Sequence, residues 1–192
     1  YPHKTLSVVE ADFLDGMEYD GLYFLSRGFY NLYDGTPKGY LTAIAVHETA
    51  HQWWYAQAGN DQAMEPWLDE ALCTYSERLY YEEVYPELVG WWWAFRVDFY
   101  QPEGWINGSV YDYQGFRPYV NAVYLRGARF LEDLRKTTGD QAFFAFLKDY
   151  LERNNQRQVT AREFFDILSM HTTADYQSLI TKYFQPFEPT GK

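Results

Sequence analysis

The chain has 192 residues, of which 47% are hydrophobic, so it is long and apolar enough for one domain with a sizeable core. Its 16 lysines and arginines against 27 aspartates and glutamates give a formal net charge of −11. This charge repels a phosphate backbone and excludes nucleic acid as a partner. The single cysteine, Cys73, excludes an internal disulfide and leaves the cellular compartment open.

No apolar run approaches the ~20 residues of a membrane span, and no basic leader with a hydrophobic core precedes the first predicted strand. The chain begins at Tyr1 rather than at a methionine. We therefore expect a fragment of a larger protein, whose targeting signals and further domains would lie outside this sequence.

Two short runs near the N-terminus predict strands. Residues 5–9 are rich in β-branched side chains, and residues 21–26 contain four consecutive large apolar ones. Between them, Asp15 and Gly16 have the composition of a turn. Residues 1–30 are therefore expected to form a small sheet.

A loop with the sequence Asp34-Gly35-Thr36-Pro37 precedes the first long predicted helix. We expect this helix to run from Tyr40 to Ala58, with Gly59 ending it because glycine is common just after a helix. A second helix is predicted from Pro66 to Tyr85, stopped by Pro86.

The first of these helices carries the pattern His47-Glu48-Thr49-Ala50-His51. Positions four apart share one helix face, so His47 and His51 can offer imidazole nitrogens to one metal ion. In zinc proteases with this spacing, the histidines hold Zn²⁺ and the glutamate takes a proton from metal-bound water. The alternative is that both histidines are ordinary surface residues, because a five-residue pattern recurs by chance.

A catalytic zinc ion normally has three protein ligands and a water molecule. Glu70 lies on the second predicted helix, far enough after His51 for the chain to turn and return. We therefore predict Glu70 as the third ligand and residues 38–85 as the zinc-site helices.

Two other carboxylates on the second helix need an interpretation. Metal-bound imidazoles usually donate their other N–H to a carboxylate, and Glu77 lies two turns after Glu70 on the same face. Glu77 is thus the candidate partner of a ligating histidine, and a solvated surface glutamate is the alternative. Asp69 is expected to cap or solvate the start of the helix.

The remainder, residues 86–188, predicts a helical subregion. Helices are expected over residues 87–100 and 119–138, separated by a long loop. Gly139 should end the second of these, and Asp140 should cap the next one. Further helices are predicted by a Thr160 and Glu163 capping box and by the apolar spacing from Tyr176 to Tyr183. The expected fold is mainly α with a small β-sheet near the N-terminus (α+β), in one domain over residues 1–192.

The pattern in these helices resembles the aminopeptidase N type of zinc peptidases, a branch of the gluzincins. The segment His47 to Trp53 resembles the zinc helix of that family, and Trp67-Leu68-Asp69-Glu70-Ala71 resembles its third-ligand segment at the family's spacing. The resemblance covers roughly residues 6–184. It implies a thermolysin-like zincin catalytic domain, a zinc cofactor and hydrolysis of peptide bonds that removes N-terminal residues from peptides.

The resemblance also implies a substrate-binding strand. The segment Asp15-Gly16-Met17-Glu18-Tyr19 is similar to the family's Gly-Ala-Met-Glu-Asn strand, although only the Met-Glu core is kept. On this resemblance, Glu18 receives the free α-amino group of the substrate. The edge of the strand, with Gly16 and Met17, pairs with the substrate backbone.

A further segment, Val123-Tyr124-Leu125-Arg126-Gly127-Ala128, is similar to the family's Tyr-x-Lys-Gly-Ala segment. The resemblance implies that Tyr124 donates to the oxyanion of the tetrahedral intermediate. Without the glycine and alanine that follow, a tyrosine in a chain with 19 of them is a packing residue.

Members of this family usually carry an N-terminal β-rich domain and often a helical C-terminal domain. The resemblance thus implies missing domains of the same protein as partners beside the peptide substrate, and reduced or no activity of the isolated domain. A thermolysin-type zinc endopeptidase is one alternative, distinguished by the lack of a role for Glu18. A zinc-stabilised, non-catalytic interaction domain is another, against which stands Glu48, since a structural zinc site needs no general base.

Overall fold

A computed structural model of the chain describes residues 1–186, and the last two residues of the predicted helical subregion, 187–188, lie outside that range. The strands are β1 (Ser7–Ala11), β2 (Gly16–Tyr19), β3 (Leu22–Ser26), β4 (Ala58–Asn60) and β5 (Arg157–Val159). The helices are α1 (Arg27–Asn31), α2 (Tyr40–Ala50), α3 (Trp67–Val84), α4 (Val89–Trp92), α5 (Phe116–Tyr119), α6 (Gly127–Thr138), α7 (Asp140–Arg153), α8 (Ala161–His171) and α9 (Gln177–Tyr183). The predicted α+β fold class is confirmed. Within residues 1–186, no helix combines the length and the apolarity that crossing a membrane requires.

The N-terminal sheet has the order β1-β3-β2, with β1 parallel and β2 antiparallel to β3. Asp15 enters β2 with a φ of 83°, in agreement with the predicted turn. Tyr23 and Leu25 of β3 are buried against Ile44 of α2. This contact fixes the sheet on the helix, and β2 remains an edge strand.

The end of the first long helix was predicted wrongly. Helix α2 ends at Ala50, and turns follow up to residue 57. Gly59 does not end a helix but lies in β4, which pairs in parallel with β5. Residues 58–60 pair with β5 instead of continuing the helix. Because β5 is distant in sequence, the local pattern contained no sign of this pairing. Helix α3 agrees with its prediction and ends before Pro86.

The two aromatic helices of the C-terminal part contain irregular turns. Residues 86–100 form a continuous helical run in which Trp93–Val97 has π-helical hydrogen bonds, and Val120–Arg126 is a second π segment between α5 and α6. Asp140 does not cap α7, since Gly139 occupies the cap position and the Asp140 carboxylate accepts from Arg135 instead. The predicted capping box of α8 is present.

An aromatic core joins α3 to the C-terminal helices. It consists of fully buried rings that meet mostly edge to face: Trp67, Phe130, Phe146, Phe164 and Phe184. A Cβ on Gly127 would lie 2.5 Å from the Cβ of Ala71. Only glycine therefore permits α6 to approach α3 this closely, and the approach holds the preceding π segment against α3.

Candidate functional site: a buried histidine and carboxylate cluster

Three ligand-type side chains from α2, its C-terminal cap and α3 converge. Nε2 of His47 lies 3.1 Å from Oε2 of Glu70, and Nε2 of His51 lies 3.5 Å from the same oxygen. The three ligand atoms lie within 4.8 Å of one another. All three residues are at most 9% exposed. The packing of α3 on α2 thus brings Glu70 to the histidine pair as the sequence predicts.

This cluster fits a zinc ion by its donor set and by its unsatisfied atoms. Nε2 of His51 is buried without a hydrogen-bond partner, as is Oε2 of the neighbouring Glu48. A buried polar atom without a partner costs about 1–3 kcal/mol, which a ligand in the centre of the cluster would recover. Two imidazoles and one carboxylate are the ligand set of catalytic zinc sites that keep a fourth position open.

Proton affinities in the cluster reflect the crowding of acidic and basic groups. Burial lowers the pKa of both imidazoles, but the nearby Glu70 carboxylate outweighs it, raising the pKa of His51 to about 9 and that of His47 well above its ordinary value. Burial raises the pKa of Glu70, and its bonds to the two imidazoles bring that pKa below the usual range. A metal ion that binds here must therefore displace protons from the imidazoles.

Glu77 fixes the orientation of His47. Its Oε1 lies 3.0 Å from Nδ1 of His47, while Arg96 donates to both carboxylate oxygens and the indole of Trp92 donates to Oε2. Burial raises the pKa of Glu77, but the Arg96 charge opposes burial, and the net result is a pKa below the usual value, so the group stays ionised. The alternative of a solvated glutamate is wrong, because Glu77 is fully buried. Sequence reasoning missed Arg96 and Trp92, which lie in a segment read only as aromatic core.

Glu48 lies between the histidines and strand β2. Burial raises its pKa to about 7, with the His47 and His51 charges acting in the opposite direction. A carboxylate with that pKa exchanges protons readily near neutral pH. A Cβ on Gly16 would lie 2.2 Å from Oε1 of Glu48, so β2 passes directly over this carboxylate, and a larger residue at position 16 would require the Glu48 side chain to move.

Glu18 and Asp69 are joined through Gln62, whose amide donates to both carboxylates at 2.8 and 3.1 Å. Oxygens of Glu18 and Glu48 also lie within 4.8 Å of a ring nitrogen of His51. Asp69 accepts from the backbone N–H of Glu70 in the first turn of α3, as expected for a residue that caps the helix start, and it is fully buried, which raises its pKa to about 7. Nothing in the sequence pattern indicated Gln62.

Tyr124 lies on the π segment held against α3. Its ring stacks on that of His47, with centroids 5.7 Å apart and planes at 5°, and the ring of Tyr119 meets it edge on. Burial and the Glu70 charge raise the pKa of Tyr124 well above its ordinary value, so the hydroxyl stays protonated and can donate a hydrogen bond. Short π segments recur at functional sites.

These side chains open into one cavity of about 550 Å³. Its lining combines β2, the metal-type ligands and the π segment: Gly16, Met17, Glu18, His47, Glu48, His51, Glu70 and Tyr124. A cavity of this size admits a small ligand. A larger apolar groove lies on the opposite face of α2 and contains none of these residues. His3 and His171 pair elsewhere, with Asp20 and Asp149.

Comparison with known proteins identifies the sequence family and the fold. Residues 1–183 match the peptidase family M1 domain, whereas no curated protein matches the chain. The M1 zinc metallopeptidase from Deinococcus radiodurans is similar at 22% identity with a TM-score of 0.72, over 98% of this chain and 41% of that one. Its mutant bound to a Tyr-Ser-Ala substrate is similar at 22% identity with a TM-score of 0.71, over 99% of this chain and 43% of that one.

Legionella pneumophila aminopeptidase A in complex with aspartic acid is also similar, at 21% identity with a TM-score of 0.72, over 93% of this chain and 21% of that one. These likenesses confirm the predicted thermolysin-like catalytic fold. The chain spans about two fifths of the length of the first structures that it matches.

Proposed function

The chain belongs to peptidase family M1, and on that premise we propose that it forms the catalytic centre of a zinc-dependent aminopeptidase, which removes N-terminal residues from peptides. The observation that carries this proposal is the convergence of His47, His51 and Glu70 beside a buried Glu48, in a cavity that also contains Glu18. Further domains of a longer protein would complete the cleft, since the similar structures are more than twice as long.

We assign Zn²⁺ to His47, His51 and Glu70. When bound there, the ion supplies Lewis acidity, which polarises the scissile carbonyl and makes water more acidic. The metal-facing nitrogen of His47 is held in place because the Glu77 carboxylate accepts a hydrogen bond from the other ring N–H.

Proton transfer is assigned to Glu48. Its carboxylate takes the proton of the attacking water and passes it to the leaving amine, for which a pKa of about 7 is suited. The hydroxyl of Tyr124 donates a hydrogen bond to the oxyanion that forms at the carbonyl.

Recognition of the N-terminus is assigned to strand β2. Glu18 presents a carboxylate at the cavity, and a protonated α-amine is the complementary group. The other edge of β2 is unpaired within residues 1–186, so Gly16 and Met17 can bind the substrate backbone as an added strand. A similar structure was solved with a Tyr-Ser-Ala substrate, which supports a peptide ligand of this type.

The test compares one leucyl fluorogenic amide with its N-acetylated form on the zinc-loaded protein. We expect cleavage of the free amine only, and a lower kcat/KM in Glu18→Gln than in the control Glu152→Gln, which removes the same charge from an exposed site on α7. Equal cleavage of both amides would support the endopeptidase alternative. Stoichiometric zinc with neither cleavage nor tighter binding of the free amine than of its N-acetylated form would support the non-catalytic alternative.

A further inference from the structure

The cavity has an unequal distribution of charge that the proposed mechanism does not explain. Its lining includes the carboxylates of Glu18, Glu48 and Glu70 beside the histidines, that of Asp15 just before β2, and two arginines, Arg96 and Arg117. Arg96 is 6% exposed and is bound by both oxygens of Glu77. Arg117 is exposed, and no residue that the structure describes forms an ion pair or hydrogen bond with its side chain. One cationic group of the cavity is therefore available to a ligand.

The Arg117 side chain is nevertheless held in place. Its guanidinium carbon lies 4.5 Å from the centre of the Tyr100 ring. The Tyr100 hydroxyl lies 2.5 Å from that of Tyr40, the first residue of α2. A guanidinium stacked on an aromatic ring keeps the N–H groups at its edge free to donate, in the geometry that suits a carboxylate.

Arg117 and Glu18 lie toward opposite ends of α2. The contact through Tyr100 places Arg117 near Tyr40, whereas Glu18 lies beside His51, which caps the other end. Eleven helical residues span roughly 16 Å. An extended peptide covers about 3.3 Å per residue, so three residues cover about 10 Å, and a hydrogen bond of about 2.9 Å at each end brings the distance from Glu18 to Arg117 to about 16 Å.

We propose that Arg117 binds a carboxylate of the substrate beyond the scissile bond. This inference rests on the proposed function, because it places the substrate amine at Glu18. The carboxylate has two sources, the C-terminus of a peptide of about three residues or an acidic side chain of a longer peptide. In either case the cavity recognises opposite charges on the two sides of the bond that is cleaved.

The experiment measures leucine release from two matched pairs of peptides. One pair is leucyl-alanyl-alanine and its C-terminal amide, and the other is leucyl-alanyl-glutamate amide and leucyl-alanyl-glutamine amide. The enzymes are the zinc-loaded wild type, Arg117→Gln, Arg117→Lys and the control Arg162→Gln, which removes the same charge from an exposed position on α8.

We expect the wild type to favour the carboxylate member of a pair by about tenfold in kcat/KM, chiefly through KM, as for a charge-assisted hydrogen bond. Arg117→Gln should abolish this preference and leave the neutral peptide unaffected, Arg117→Lys should keep part of it, and Arg162→Gln should keep all of it. A preference in the first pair would identify the C-terminus of a short peptide as the carboxylate that Arg117 binds. A preference in the second pair would identify an acidic side chain.

Two results would overturn the inference: no wild-type preference in either pair, or equal losses for carboxylate and neutral peptides in Arg117→Gln. If the wild type released no leucine from any peptide, the proposed function would fail separately. The dissociation constants of the same peptides, measured by calorimetry on wild type and Arg117→Gln, would then decide. An unchanged ratio within each pair would overturn the assignment of Arg117.

Discussion

Helix α3 buries two faces of opposite chemistry. One face presents Glu70 and Glu77 to His47 of α2, and the other presents Trp67 and Ala71 to the aromatic core and to α6. Both faces are excluded from solvent to a similar degree. The degree of burial therefore does not distinguish the candidate site from the core. What differs is whether the buried groups satisfy one another's packing and hydrogen bonding without a ligand.

On the aromatic face, rings fill the space and stabilise the fold without a ligand, although Nε1 of Trp67, a neutral donor, is buried without a hydrogen-bond partner. On the polar face, several charged groups have lost their hydration, and one atom each of Glu48 and His51 has no hydrogen-bond partner. Apolar residues of similar volume would often be as stable or more stable at such positions. The polar face is thus explained by a function and the aromatic face by packing, and four substitutions test this division.

The largest effect is expected for Glu48→Gln. The amide has the shape of the carboxylate but cannot accept a proton, so kcat should fall by about 10²–10⁴ while zinc content is unchanged. Leucine release and elemental analysis measure the two quantities, with Glu152→Gln as the control. Activity within tenfold of wild type would remove Glu48 from the mechanism.

Phe164→Ala should break the aromatic face alone. The ring contacts Trp67 and Phe146 at centroid distances of 5.0 and 4.8 Å, and its loss leaves a cavity. We expect a decrease of about 3–5 kcal/mol in the free energy of unfolding in urea. Zinc affinity of the folded protein should not change. A parallel loss of zinc affinity would show that the two faces of α3 are not independent.

Tyr124→Phe keeps the ring that stacks on His47 and removes only the hydroxyl. Loss of one oxyanion donor should lower kcat by about 10²–10³, with KM and zinc content unchanged. Steady-state kinetics on the leucyl amide measure the change. A decrease of less than tenfold would assign Tyr124 to packing, together with the aromatic face.

Glu77→Gln should have the smallest effect, on zinc retention. Replacing the carboxylate that orients His47 should weaken zinc affinity by about 10–100-fold. Competition with a chelator measures this, and Glu83→Gln, at an exposed position of α3, is the matched control. Because the variant also leaves Arg96 without its charge partner, unfolding is followed in parallel. Equal affinity in Glu77→Gln and the control would reduce Glu77 to a partner of Arg96.

Much of the fold and of the candidate site could be predicted because it depends on short spacings. The interval between His47 and His51, the capping box at Thr160 and the stop at Pro86 follow from helix geometry and backbone chemistry over a few residues. The family resemblance followed from such segments and is confirmed by the domain match. Errors arose where a distant partner intervened, as at Gly59, which pairs with β5 instead of ending a helix.

The amino-acid sequence by itself determined which groups lie on one face of each helix, and hence the candidate ligands and the candidate base. Tertiary structure alone decided that Asp69 and Glu77 are buried, that Gln62 joins Glu18 to Asp69, and that Arg96 is taken by Glu77 while Arg117 is not. The reason is physical. Periodicity specifies direction around one helix axis, whereas burial and charge pairing depend on which other segments pack there, and those segments are remote in the chain.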